Sequence, residues 1–192
     1  MLDAVTRRPW FVRRYANDLA ALHARMHDAP GAGLPTLKEG WGFAIERSSN
    51  ILGADRAAAV LERLAALPDG DRICHGDMHP GNVLMSAAGP KVIDWMSAKA
   101  GPPEADVART LFLLTGSDVP KSYPRVQRVL IAGVRQLFAR AYLNAYRRLR
   151  ALDGEMLRAW RLPVFAARLS EDIDEERAAL LRKIDADLAT ER

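Results

Sequence analysis

The stretches HGDMHPGNVL (His75–Leu84) and KVIDW (Lys91–Trp95) decide how this chain is read. They place an Asp, an Asn and a second Asp close together, with two histidines four residues apart. The histidines suggest zinc, whereas the Asp–Asn–Asp set suggests magnesium and phosphate. Zinc metalloproteases carry paired histidines at i and i+4 of one helix, with a Glu beside the first. Here Gly76 follows His75, no Glu lies between the histidines, and Pro80-Gly81 comes directly after His79. Such a stretch is a poor helix interior, because Pro lacks an N–H and Gly loses too much backbone freedom. The two imidazoles therefore have no shared helix face. His23 and His27 do fall at helical spacing, but no third ligand is apparent in the sequence, and the pair reads as packing or helix-end residues.

The second template matches by count. Protein kinases carry His-Arg-Asp, four residues, then Asn, with a later Asp at the end of a strand. This chain has His75-Gly76-Asp77, four residues, Asn82, and then Asp94 after KVI. A phosphoryl acceptor needs a carboxylate within hydrogen-bond reach of its hydroxyl, which Asp77 can supply. An Asn carbonyl holds magnesium without adding charge, and a carboxylate on the neighbouring strand binds the metals that bridge nucleotide phosphates. Each residue also has an ordinary structural use: Asp77 could cap a turn, Asn82 start a strand and Asp94 pair with an Arg. All three at kinase spacing around a hairpin favour a magnesium–phosphate site.

Outward from this segment the pattern turns helical in both directions. Apolar positions recur at three and four residues from Phe11 to His27, until Pro30, Gly31 and Gly33 stop the helix. A loop carrying Trp41 and Phe43 is predicted next, then a helix from Ala54 to Leu67. RICHG reads as a short strand, and NVLMS-AAGP-KVIDW as a hairpin. The period predicts helices over Glu104–Leu114, Tyr123–Leu149 with a break near Gly133, Gly154–Leu169 and Asp172–Leu188. The last is predicted to open on a capping box formed by Asp172 and Glu175. The fold class is therefore mainly α with a small β-hairpin (α+β).

At 192 residues and 49% hydrophobic, the chain can bury a core and is expected to form one domain, 1–192. The catalytic and metal hairpin would span about 72–97 and a helical, substrate-side region about 103–192. No apolar run approaches the roughly 18–20 residues needed to cross a bilayer, so no membrane partner is expected. The N-terminal stretch has charges inside its apolar part, unlike a secretory signal. A lone cysteine, Cys74, fits a reducing cytoplasm and reads as a buried strand residue rather than a reactive thiol. The net charge is +4, and Arg clusters at Arg7–Arg14 and Tyr146–Arg150 invite a nucleic-acid reading. The 24 acidic residues are interspersed with them, so solvated helix faces and no nucleic-acid partner are expected.

With CHGDMHPGNVLM, VIDW and the later GPPEADVART in one chain, the sequence resembles the aminoglycoside phosphotransferase and choline kinase family, small-molecule kinases with a protein-kinase-like fold. LAALHARMH and WRLPVFAARLSEDI are similar to that family's C-terminal lobe, so the likeness covers most of the chain. The resemblance implies Asp77 as catalytic base, Asn82 and Asp94 as Mg²⁺ ligands, and ATP as phosphoryl donor. It implies that His75 orients the loop and that His79 holds the loop or lines the site. Asp106, after the Gly-Pro-type turn, would brace the catalytic loop by accepting backbone N–H bonds. The short link from Asp94 to that helix favours a small-molecule hydroxyl over a protein acceptor.

Two departures accompany the likeness. Met96 stands where many relatives have a polar or acidic residue. The sequence also lacks G-x-G-x-x-G after a strand and any G-x-x-x-x-G-K-[ST], and Lys91 lies on the strand leading to Asp94. The N-terminal nucleotide lobe is therefore expected to be absent from these residues. Weak ATP binding, little activity alone, and self-association or docking of a partner through the uncovered face are expected. The leading reading is a Mg-ATP-dependent phosphotransferase. A truncated pseudokinase acting as a binding module, and metal-dependent hydrolysis at the same carboxylates, are the alternatives. The acids Glu171, Asp172, Asp174, Glu175 and Glu176 read as a solvated helix start, with attraction of a cationic substrate as the other use.

Overall fold

The computed structural model describes residues 1, 9–116 and 123–190, so Arg7 and Arg8 of the first basic cluster lie outside the described residues. Helix α1 is Val12–Met26, with Val12, Tyr15, Ala16, Leu19, Ala20, His23 and Ala24 on its buried face. Helix α2 is Leu37–Arg47, in place of the predicted loop around Trp41 and Phe43. Its start is a complete capping box: Thr36 accepts from the Glu39 N–H at 3.2 Å, and Glu39 accepts from the Thr36 N–H at 3.1 Å. A cap of this kind contributes about 1 kcal/mol. That offsets about half of the cost of Gly40 and Gly42 inside the helix, and the signal was the Thr-x-x-Glu spacing. The short α3, Ser49–Leu52, leads into α4, Ala54–Ala66.

Strand β1, Arg72–Cys74, is followed by β2, Val83–Ser86, and β3, Gly89–Val92. The latter two form the expected hairpin, with Val83 opposite Val92. The sequence reading missed β4, Lys99–Gly101, which pairs antiparallel with β1 and sets Cys74 opposite Lys99. Cys74 is fully buried, and burial raises its thiol pKa, so it is a strand residue with little thiolate character.

Helix α5, Pro103–Thr115, has Pro at its first position, where no N–H is needed. Helix α6, Arg125–Leu149, runs unbroken through Gly133. One helical Gly costs only about 1 kcal/mol relative to Ala, too little to interrupt a long helix. The predicted helix Gly154–Leu169 is instead two, α7 at Gly154–Ala159 and α8 at Arg161–Arg168. Pro163 accounts for the break, because it has no N–H to give the Ala159 carbonyl. Helix α9, Asp174–Thr190, starts two residues late. Asp172 is left-handed (φ 53°) at the end of the preceding turn and its carboxylate accepts from Arg177, so the predicted capping box does not form.

The described residues are thus mostly helical and form two small antiparallel sheets. Its core joins α1, the buried C-terminal half of α6, α5 and α8 through Leu19, Tyr142, Tyr146, Val107 and Phe165. The hairpin and the loop before it lie against this helical base. No helix among the described residues is long and apolar enough to cross a membrane.

Candidate active site

The loop from His75 to Asn82 is held from below by Asp106, near the start of α5. The fully buried Asp106 carboxylate accepts the backbone N–H of His75 at 2.5 Å and of Gly76 at 2.9 Å, one on each oxygen. The oxygen that receives His75 also receives His23 Nε2 at 2.9 Å, from α1, and His27 Nε2 at 3.3 Å, from the residue that caps its C-terminus. Behind each imidazole stands a tyrosine of α6, with the Tyr142 hydroxyl 2.6 Å from His23 Nδ1 and the Tyr146 hydroxyl 2.6 Å from His27 Nδ1. H-x-x-x-H on one helix therefore meets Y-x-x-x-Y on the other, and the common i, i+4 spacing keeps the two pairs in register. The sequence contained both spacings, but Asp106 as the shared acceptor was missed.

His23, His27 and Asp106 offer ligand atoms within 4.8 Å of one another, close enough for a metal cluster. The shared Asp106 oxygen already takes three protein donors, which suits a hydrogen-bonded clamp. Burial alone would raise the Asp106 pKa, but His23 and His27 outweigh it and hold the carboxyl well below its usual range. Burial first, then His23, lowers His27 to about 4, while burial raises both tyrosines and keeps their hydroxyls protonated. The neutral His27 then donates from Nε2 to Asp106 and accepts the Tyr146 hydroxyl at Nδ1.

This arrangement fixes a pH dependence. An unfolded His27 binds a proton below about pH 6.5, and the folded protein excludes that proton down to about 4. The depressed value means that stability is full above the unfolded pKa and falls as pH drops through the window. Denaturant unfolding between pH 7 and pH 4 should lose about 3 kcal/mol from this group. His27→Gln should remove most of that slope, and an unchanged slope in the variant would show that His27 is not buried in its neutral form.

Gly76 has φ +76°, and a Cβ there would lie 2.8 Å from the Ser97 carbonyl oxygen, so only glycine fits this turn. His75, fully buried, donates from Nε2 to the Ile93 carbonyl at 3.0 Å and accepts the Asp77 N–H at Nδ1, 3.3 Å away. It also packs against the ring of Trp95 at 4.9 Å. The same imidazole therefore contacts residues on both sides of Asp94. Asn82 donates from Nδ2 to the Asp77 backbone carbonyl at 2.9 Å and to Asp77 Oδ2 at 2.8 Å, and the Asn82 backbone carbonyl accepts the Ile93 N–H at 3.0 Å. Asp77 and Asn82 are thereby joined, and the residue before Asp94 is pinned beside them.

His79 accepts the Gly81 N–H at Nδ1, so its proton resides on Nε2, 3.5 Å from Asp77 Oδ2. His79 is the largest influence lowering the Asp77 pKa; burial opposes it, and Asn82 and Arg109 assist. Asp77 is ionised at neutral pH. Asp94 is exposed and left-handed (φ 62°, ψ 65°), with its side chain toward solvent. His75 and His79 thus turn to separate partners, and the residues drawn together around the loop are Asp77, Asn82 and the backbone leading to Asp94.

Arg109 received no role in the sequence reading. Its Nε donates to the Gly76 carbonyl at 3.2 Å, and its far nitrogen pairs with Glu171. Glu171 is also bound by Arg168, which holds Glu176 at 2.8 Å. Beside Gly76, Arg109 and Glu171 wall a cleft of about 210 Å³ together with Gly40, Trp41, Ser97, Lys99 and Ser170. Nothing local in the sequence marked this cleft, because its walls come from α2, the loop, β4, α5 and the end of α8.

Residues 5–152, more than half of the chain, match the model of the phosphotransferase enzyme family. No curated protein sequence matches the chain.

Proposed function

The chain belongs to the phosphotransferase enzyme family, and from that premise we propose that it is a Mg-ATP-dependent kinase acting on a hydroxyl of a small molecule. The whole 192 residues are read as one domain, equivalent to the C-terminal lobe of a protein-kinase-like fold. The observation that carries the reading is the joined pair Asp77–Asn82. Asn82 and His79 engage Asp77 Oδ2, which leaves Oδ1 for an incoming hydroxyl. Asp77 accepts the hydroxyl proton while the acceptor oxygen bonds to phosphorus and the bond to the nucleoside diphosphate breaks.

The donor set suits magnesium. Asn82 spends its amide nitrogen on Asp77 and so turns a neutral carbonyl oxygen outward, while Asp94 supplies an exposed carboxylate. Both are hard oxygen ligands. When bound, the metal neutralises charge on the phosphates. His75, Asp106 and Arg109 are read as positioning residues for the loop. Kinases of this fold close their site with a second lobe. The exposed Leu84 and Met85 of the hairpin and Trp95 and Met96 directly after Asp94 are apolar side chains that such a lobe, or a second chain, would cover.

Calorimetric titration of ATP with and without Mg²⁺ tests the cofactor assignment. Asp94→Ala should abolish magnesium-dependent binding, and Asn82→Ala should raise the magnesium concentration required. Equal ATP affinity for Asp94→Ala and the unaltered chain would refute the ligand assignment. Magnesium-dependent binding with no phosphoryl transfer in any assembly would favour a binding module instead.

A further inference from the structure

The charge of the cleft beside Gly76 bears on the acceptor. In sequence, Glu171, Asp172, Asp174, Glu175 and Glu176 form an acidic run that could attract a cation. In the structure four of these acids are paired with arginines, and the fifth, Glu175, is exposed and does not line the cleft. Glu171 lies between Arg109 and Arg168, Glu176 is bound by Arg168, and Asp172 and Asp174 share Arg177. Of the charged side chains lining the cleft, Arg109 and Glu171 cancel each other. Lys99 has no acidic partner among the described residues.

Lys99 is also specifically seated. Its stem crosses Gly40 of α2, where a Cβ would lie 2.3 Å from Lys99 Cε and 3.0 Å from Cδ. Glycine at position 40 lets the lysine lie along the helix and present its ammonium at the cleft. The opposite requirement, an apolar wall, is met by Trp41, whose ring is fixed edge-on against the buried Trp160 at 5.8 Å. The cleft volume of about 210 Å³ lies below the roughly 300–1,000 Å³ typical of sites for drug-sized ligands, so its occupant is small. Gly76, which lines the cleft, immediately precedes Asp77.

We propose that the acceptor is a small alcohol carrying an anionic group, carboxylate or phosphate, held by Lys99 in this cleft with its hydroxyl toward Asp77. The proposal deepens, and rests on, the kinase reading of the same site. A charge-assisted hydrogen bond from an ammonium selects an anion over a neutral or cationic alcohol of the same size.

Four alcohols of similar size separate the outcomes: glycerate, glycerol 3-phosphate, glycerol and choline. Their binding to the purified chain can be measured by calorimetry or NMR titration without nucleotide or magnesium. At least one anionic probe should bind about 10–100-fold more tightly than glycerol, with choline weakest. The stronger of the two anions identifies the group as carboxylate or phosphate. Lys99→Gln should erase the preference and Lys99→Arg should restore much of it. Choline or glycerol binding as tightly as both anions, a preference that survives Lys99→Gln, or no measurable binding of either anion would overturn the proposal. Because no nucleotide is present, the anion preference can fail while magnesium-dependent ATP binding stands. It can equally stand in Asp77→Asn if the assignment of the base fails.

Discussion

Asp77→Asn is expected to lower phosphoryl-transfer turnover by about 10²–10⁴-fold, the range for a lost general base, in the catalytically competent form of the protein. The substitution is close to isosteric. An Asn at position 77 still offers a carbonyl oxygen to the Asn82 amide, and the backbone bonds from Asn82 to the Asp77 carbonyl and from the Asp77 N–H to His75 are untouched. Folding and ATP affinity should therefore change little, which assigns the loss to the proton-transfer step. The present Asp77 carboxyl sits below its usual pKa, chiefly because of His79. Activity should consequently persist well into mildly acidic solution before protonation of Asp77 removes it. Turnover in Asp77→Asn equal to that of the unaltered protein would falsify the base assignment, whatever the acceptor is.

Asp106→Ala should cause the largest loss of stability of any single change near the site. The carboxylate is fully buried and accepts from four donors: the N–H groups of His75 and Gly76, His23 and His27. Removing it leaves these donors in a water-excluded space and creates a small cavity. Breaking a buried, hydrogen-bonded charge cluster costs about 3–5 kcal/mol. For a chain of this length that corresponds to a Tm lower by roughly 6–20 °C, readable by thermal circular dichroism. Asp106→Asn keeps one acceptor oxygen but turns an NH₂ toward donors, and an intermediate loss of about 1–3 kcal/mol is expected. If the alanine variant does not fold, the asparagine variant still reports the effect. A loss below about 1 kcal/mol for alanine would mean that the loop is held mainly by Arg109 and the hairpin.

Asp106 and Arg109 mark the limit of reading along the chain. Each lies on α5 within the stretch GPPEADVART, and each grips the same loop from its own side: Asp106 takes the Gly76 N–H and Arg109 the Gly76 carbonyl. The motif showed an acid at a helix start and suggested a brace. It carried no sign that Arg109 shares the task, because an Arg in a helix is most often a solvated residue. The loop around Trp41 has a different lesson. A loop was predicted there, yet the Thr36–Glu39 box is formed and the helix propagates through Gly40 and Gly42. Pro163 acted oppositely: the helical period runs across it, but its missing N–H divides α7 from α8.

What the sequence determined by itself is local. The hairpin, the turn at Gly76, the Asp77–Asn82 pairing five residues apart and the helical faces follow from spacing and backbone preference, since the partners are held near each other by the chain. Tertiary structure alone decided the long-range terms: His23 and His27 on Asp106, Tyr142 and Tyr146 behind them, Arg109 on Glu171, and the strand β4 that carries Lys99. These partners lie up to 119 residues apart. Their meeting depends on helix crossing and rotation, which spacing along one helix does not encode. The charge of the cleft is decided at the same level. A run of acids is negative in sequence, but its field at the site depends on which arginines the packing brings against it; of the charged side chains that line the cleft, Lys99 is left without an acidic partner among the described residues.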